Sequence, residues 1–76
     1  EVLGKVFAIV HKYSDIKDSS CKLMKVGSYY NLYLVIELDD NISLKKVFSI
    51  ENKIKKEIKE KKMHVRFVEI ELKKYD

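Results

Sequence analysis

From Val2 to Tyr13 the apolar residues Val2, Leu3, Val6, Phe7, Ile9, Val10 and Tyr13 return at three- and four-residue steps, the period of a helix that buries one side. A polar cluster of Ser14, Asp15, Asp18, Ser19 and Ser20 follows. Its short side chains compete for backbone hydrogen bonds, so the pattern predicts that the helix stops and a loop follows. Cys21–Val26 and Tyr29–Leu38 read as two strands about Gly27 and Ser28, a pair suited to a two-residue hairpin turn with a positive φ at the glycine. In the second strand Tyr30, Leu32, Leu34, Ile36 and Leu38 alternate onto one face, and Tyr29, Asn31, Tyr33, Val35 and Glu37 onto the other.

Asp39, Asp40 and Asn41 end that strand. Ser43 is a good N-cap, and Ile42 before it is placed to pack on Val47 as a hydrophobic staple. A second helix is predicted from there to about Glu60, burying Leu44, Val47, Ile50, Ile54 and Ile58. Glu51 with Lys55 and Glu57 with Lys61 are favourably ordered pairs across one turn. A third strand, Met63 to Leu72, sets His64, Arg66, Val68, Ile70 and Leu72 against Val65, Phe67, Glu69 and Glu71, and Lys73 to Asp76 reads as a tail.

Strand two, helix two and strand three form a strand–helix–strand unit, whose crossover is right-handed with parallel strands when both share a sheet. Strand two then sits centrally, antiparallel to strand one and parallel to strand three. The predicted fold class is α+β, in the order αββαβ, with a three-stranded mixed sheet and two helices on the face bearing Leu34, Ile36, Val68 and Ile70. The other face is left bare. Tyr29, Tyr33, Val35, Val65 and Phe67 are expected on it, and a contiguous apolar patch of that kind is rarely left in water, so it is the expected contact of a homodimer.

Length strengthens that expectation. Seventy-six residues form one domain, and a core this small rarely supplies more than about 3–5 kcal/mol net. Cys21 is the only cysteine, and one cysteine with two histidines cannot close a structural zinc site. Oligomerisation is the staple that remains. The chain is 46% hydrophobic and 37% charged without proline, the composition of a folded domain. It contains no apolar run near the roughly 20 residues a membrane-spanning helix needs. It opens at Glu1 instead of methionine, which raises the expectation of a piece cut from a longer protein. The net charge of +4 is concentrated between Lys45 and Lys62, where Glu51, Glu57 and Glu60 dilute it, so those lysines read as a solvated helix face.

Catalytic chemistry finds no foothold, and no enzymatic activity is expected. Gly4 and Gly27 are far apart and neither opens a phosphate loop. Neither His11 nor His64 lies in a nucleophile motif with Cys21 or a serine. Tyr29, Tyr30 and Tyr33 on a strand suggest base stacking, but strand two interleaves Asn31, Val35 and Glu37 where a nucleic-acid surface would place lysine or arginine. Glu69 and Glu71 project from one face of strand three. Two such carboxylates hold a divalent cation or simply face solvent. His64 reads as half-exposed structure, and His11 suits the negative end of helix one.

With the elements placed, Tyr13 to Glu71 resembles the cytosolic C-terminal domain of cation diffusion facilitator transporters, which export zinc and related divalent ions in exchange for protons. The residues that carry the resemblance are Leu23-Met24-Lys25-Val26-Gly27-Ser28-Tyr29-Tyr30, Leu34-Val35-Ile36-Glu37-Leu38-Asp39, Ser43-Leu44, Ile50 to Ile58, and Val68-Glu69-Ile70-Glu71. It implies a copper-chaperone or ferredoxin-like two-layer sandwich that dimerises beneath the membrane, with a transmembrane domain of the same protein as its partner. It also implies zinc binding, through histidines at the positions held here by Val35, Phe48 and Glu69, with Glu71 keeping the acidic ligand type. Valine and phenylalanine supply no donor atoms. Any zinc or other divalent cation is therefore expected to be held weakly or not at all, with Glu69 and Glu71 as the residual metal ligands. The alternative readings are a free-standing nucleic-acid-binding α+β domain using the lysines of helix two, and a small regulatory ligand-binding domain of similar architecture.

Overall fold

The computed structural model describes residues 1–75 of the chain. Its elements are α1 (Val2–Val10), β1 (Ile16–Val26), β2 (Tyr29–Leu38), α2 (Leu44–Glu60) and β3 (Val65–Lys74). The sheet order is β1-β2-β3, with β1 antiparallel and β3 parallel to the central β2. Both helices cover one face, as the periodicity predicts. Leu32, Leu34, Ile36 and Leu38 of β2 are buried with Val6, Ile9 and Val10 of α1 and Val47, Ile50, Ile54 and Ile58 of α2, and Met63 closes the end of this core. The fold class is thus α+β in the expected order, and the outer strands each keep one edge without a neighbour.

α1 is shorter than its pattern suggests. After Val10 the backbone tightens: Lys12 N donates to Ile9 O and Tyr13 N to Val10 O, both three residues back. Tyr13 still packs on the core, now from a turn. β1 starts five residues earlier than predicted, at Ile16. The polar stretch is an outer strand whose backbone bonds go to β2, with Ser19 opposite Ile36 and Ser20 opposite Val35. A bulge between Ile16 and Asp18 eases its entry, and the Asp18 carboxylate accepts from Ser19 N at 2.8 Å.

The hairpin and the bounds of α2 follow the prediction, but Leu44, predicted in the buried stripe, is exposed because the core closes on Val47, Ile50, Ile54 and Ile58. Gly27 takes a φ of +61°, a conformation that costs other residues roughly 1–2 kcal/mol. Ser43 caps α2, its hydroxyl oxygen accepting from Lys46 N at 3.2 Å. Replacing Ser43 with alanine is expected to cost about 1 kcal/mol, read as a lowered urea midpoint at unchanged m-value. Glu51 and Lys55 pair at 3.7 Å. Glu57 does not take Lys61 as predicted: it faces α1 and pairs with Lys12, tying the two helices together. Asp15 and Lys46 make a second tie, at 3.1 Å, between the start of α2 and the loop before β1.

β3 begins two residues later than its pattern implies and runs on through Lys74. Lys62 and His64, with φ of 51° and 59°, turn the chain from α2 into it. Lys73 and Lys74 pair with Glu37 and Leu38, so they are strand and not tail. Tyr75 N donates to Leu38 O at 2.9 Å beyond them. The expected tail is left with Asp76 alone outside the described residues. One irregularity changes which residues face where. Val65 is opposite Tyr30 while Phe67 is opposite Asn31, so Arg66 is an extra residue bulged out of the ladder.

Candidate dimer face and metal positions

The face of the sheet away from the helices is built in rows across the three strands. Val26 lies opposite Tyr29; Met24, Asn31 and Phe67 form the next row; then come Lys22, Tyr33 and Glu69, followed by Ser20, Val35 and Glu71. The row of Asp18, Glu37 and Lys73 ends it. The hairpin end is apolar and the far end is charged. Met24, Val26, Tyr29 and Phe67 are between 44% and 49% exposed, while Tyr33 and Val35 at the centre are half-buried by their neighbours.

Four of the five predicted contact residues, Tyr29, Tyr33, Val35 and Phe67, lie on this face. Val65 does not: it packs against the core from the helix side. The bulge at Arg66 is the cause, because one surplus residue reverses the alternation upstream of it. Met24 and Val26 take its place. Their alternation with Cys21 and Leu23, which pack on the core, was the signal for them, since the outward residues of β1 must join the outward residues of β2. His64 ends against Tyr29, ring centres 6.3 Å apart. His11 caps α1 with its ring 6.2 Å from Phe7, far from either glutamate in the fold.

Glu69 and Glu71 share the open face, with Glu71 opposite Val35 and Glu69 opposite Tyr33. Phe48 sits on α2, on the other side of the sheet. Val35, Phe48, Glu69 and Glu71 therefore do not converge within one copy. Among the described residues no three histidine, cysteine, aspartate or glutamate side chains gather at a distance that would hold a metal. The donor set of a single copy does not fit a zinc ion, which takes four ligands drawn from cysteine, histidine and carboxylate.

Cys21 is the one nucleophile near this region, and it points inward. Burial pushes its thiol above the ordinary value, leaving less thiolate at neutral pH. Its alkylation by iodoacetamide at pH 7 is expected to be slower than that of a free cysteine peptide and to accelerate once the chain is unfolded in urea. A rate equal to the peptide's would contradict the inward placement. The sign for stability follows: the neutral thiol is the form the fold accommodates, so stability is unaffected below the ordinary thiol pKa and falls as pH rises through and beyond it.

No protein-family model matches the chain, and no curated protein matches its sequence. Solved structures do match. The metal-bound C-terminal domain of the CzcD transporter from Thermotoga maritima superposes with a TM-score of 0.87 at 22% identity, over 96% of this chain and 86% of that one. The cytosolic domain of a cation diffusion facilitator family protein gives 0.84 at 22% identity, over 95% and 87%. A variant of the MamM C-terminal domain in a cadmium form gives 0.83 at 9% identity, over 99% and 95%. The chain has the fold of these transporter C-terminal domains, which is the fold that the resemblance at the hairpin, β2 and β3 implies.

Proposed function

We propose that the chain is the cytosolic dimerisation and regulatory domain of a divalent-cation/proton antiporter exporting zinc or a related ion. In that setting it works on the cytoplasmic side of a membrane, joined to a transmembrane part of the same protein. No helix among the described residues is long and apolar enough to cross a membrane, so any crossing belongs to that other part. The observation that carries the reading is the open face, where Met24, Val26, Tyr29 and Phe67 stay half-exposed beside Tyr33 and Val35. The likeness in fold to transporter domains supports the setting.

Two copies placed face to face would bury those side chains and supply the stabilisation that one small core lacks. Sedimentation equilibrium tests this directly: a reversible dimer is expected at micromolar concentration, and a single species of monomer mass at the highest concentration reached would overturn it.

The metal-sensing part of the reading rests on Glu69 and Glu71. Two copies would bring four carboxylates to one interface, and oxygen donors without imidazole or thiolate suit manganese or magnesium better than zinc. Calorimetric titration with manganese is expected to give a heat that a Glu69→Gln, Glu71→Gln double variant loses. No heat from the unaltered dimer would leave the domain a dimerisation module without a metal switch.

A further inference from the structure

The net positive charge is confined to one layer of the molecule. Residues 44–62 carry eight lysines and three glutamates, a net +5, so the remainder of the chain is net −1. Glu51 and Glu57 are engaged with Lys55 and Lys12. Lys45, Lys53, Lys56 and Lys59 are exposed and have no carboxylate within 4.0 Å among the described residues. A solvated helix face would explain these lysines if they stood alone.

They do not stand alone. Leu44 is 68% exposed and Phe48 51% exposed, although the periodicity assigned Leu44 to the buried stripe. Leu44, Phe48, Asn52, Lys56 and Lys59 follow one another at three- and four-residue steps along α2, with Lys45 beside them. They form one strip on the flank toward β3. Leu72 of β3 and Leu44 line one open hollow with Leu38, Ile42 and Val47, and Asp39, Asp40, Lys73 and Lys74 also border it. The core is complete without Leu44 and Phe48, and the open sheet face lies on the opposite layer. The strip is therefore a second apolar surface, and the unpaired Lys45, Lys56 and Lys59 stand beside it.

We propose that this strip of α2 rests on an anionic lipid surface, with Leu44 and Phe48 entering the headgroup boundary and Lys45, Lys56 and Lys59 meeting lipid phosphates and carboxylates. Charge complementarity chooses the partner class, and the residue types choose within it. The chain has fifteen lysines and one arginine, Arg66. Strongly hydrated ammonium groups suit a diffuse anionic surface, whereas nucleic-acid recognition draws on the planar arginine fork. Each lysine near an anionic leaflet contributes about a fivefold gain in partitioning. Three lysines and two apolar side chains thus make a reversible contact, one that depends on lipid composition and on salt. This surface does not require the antiporter reading, because it is defined by α2 alone.

Co-sedimentation of the 76-residue chain with vesicles tests it. Binding is expected to phosphatidylcholine vesicles containing about one third phosphatidylserine at low ionic strength, to weaken as salt rises, and to be absent with phosphatidylcholine alone. Lys56→Glu with Lys59→Glu should reduce it at least about tenfold, and Phe48→Ser severalfold, with helical circular dichroism and the melting temperature retained. Equal binding to both vesicle types, binding indifferent to these variants, or displacement of the bound chain from the vesicles by an equal weight of single-stranded RNA would each overturn the proposal. Because the self-association test uses no lipid, loss of the dimer and loss of vesicle binding are read separately.

Discussion

Ile36→Ala is expected to leave the chain mostly unfolded at 25 °C when it is dilute. Ile36 lies on the middle strand, is 0% exposed and belongs to the core cluster that joins the sheet to both helices. Truncating a buried isoleucine to alanine costs roughly 2–5 kcal/mol, while a domain of this size holds about 3–5 kcal/mol in total. The loss therefore consumes most or all of the margin. Circular dichroism would read it as a collapse of the thermal transition. A fall of only a few degrees would mean that the core is more forgiving than its burial implies, or that a partner copy supplies more of the stability. Raising the protein concentration separates these, since only a dimer's melting temperature rises with concentration.

Phe67→Asp is expected to have the opposite profile. Phe67 is half-exposed in one copy, so its removal leaves the core intact, and stability of the single copy should change by about 0.5 kcal/mol or less. The effect should fall on self-association. An aromatic anchor buried at an interface carries 2 kcal/mol or more, about thirtyfold in dissociation constant, and the new carboxylate would sit beside Glu69. Light scattering should then report monomers where the unaltered chain forms pairs. Val65→Asp makes an informative contrast: Val65 packs on the core, so this variant should lose folding before it loses association.

The parts of the fold legible in the sequence are those where one period holds over a whole element. Tyr29–Leu38 alternates without interruption and α2 has Ser43 at its start, so the bounds of β2 and the start of α2 were legible. β1 was half hidden because an outer strand with one face toward water can be polar, and Asp15 to Ser20 carry loop chemistry while their backbone still pairs with β2. The end of α1 was overrun because Tyr13 packs on the core from a turn, which mimics one more helical step. Arg66 was invisible for a different reason: a bulge is a property of pairing, and no local pattern records that one strand holds a residue its neighbour does not match. That single residue moved Val65 from the candidate contact face to the core. For the metal positions the sequence was sufficient in one respect. Valine and phenylalanine cannot donate to a metal wherever they sit, and the fold adds that Phe48 is on the far side of the sheet from Val35.

The sheet stops at three strands, and each outer one, eleven residues in β1 and ten in β3, presents an unsatisfied rim of amide and carbonyl groups. Cationic side chains stand along those rims, Lys17, Lys22 and Lys25 on one and Arg66 and Lys73 on the other, and charges of this kind oppose strand pairing between neighbouring molecules. Acetylating the lysines, or screening all of these charges with concentrated salt, is expected to weaken the mutual repulsion and favour edge-to-edge pairing of sheets. Colloidal behaviour in this small protein is thus governed at its margins, by groups that take no part in its core, although Lys22 and Lys73 also stand on the open sheet face.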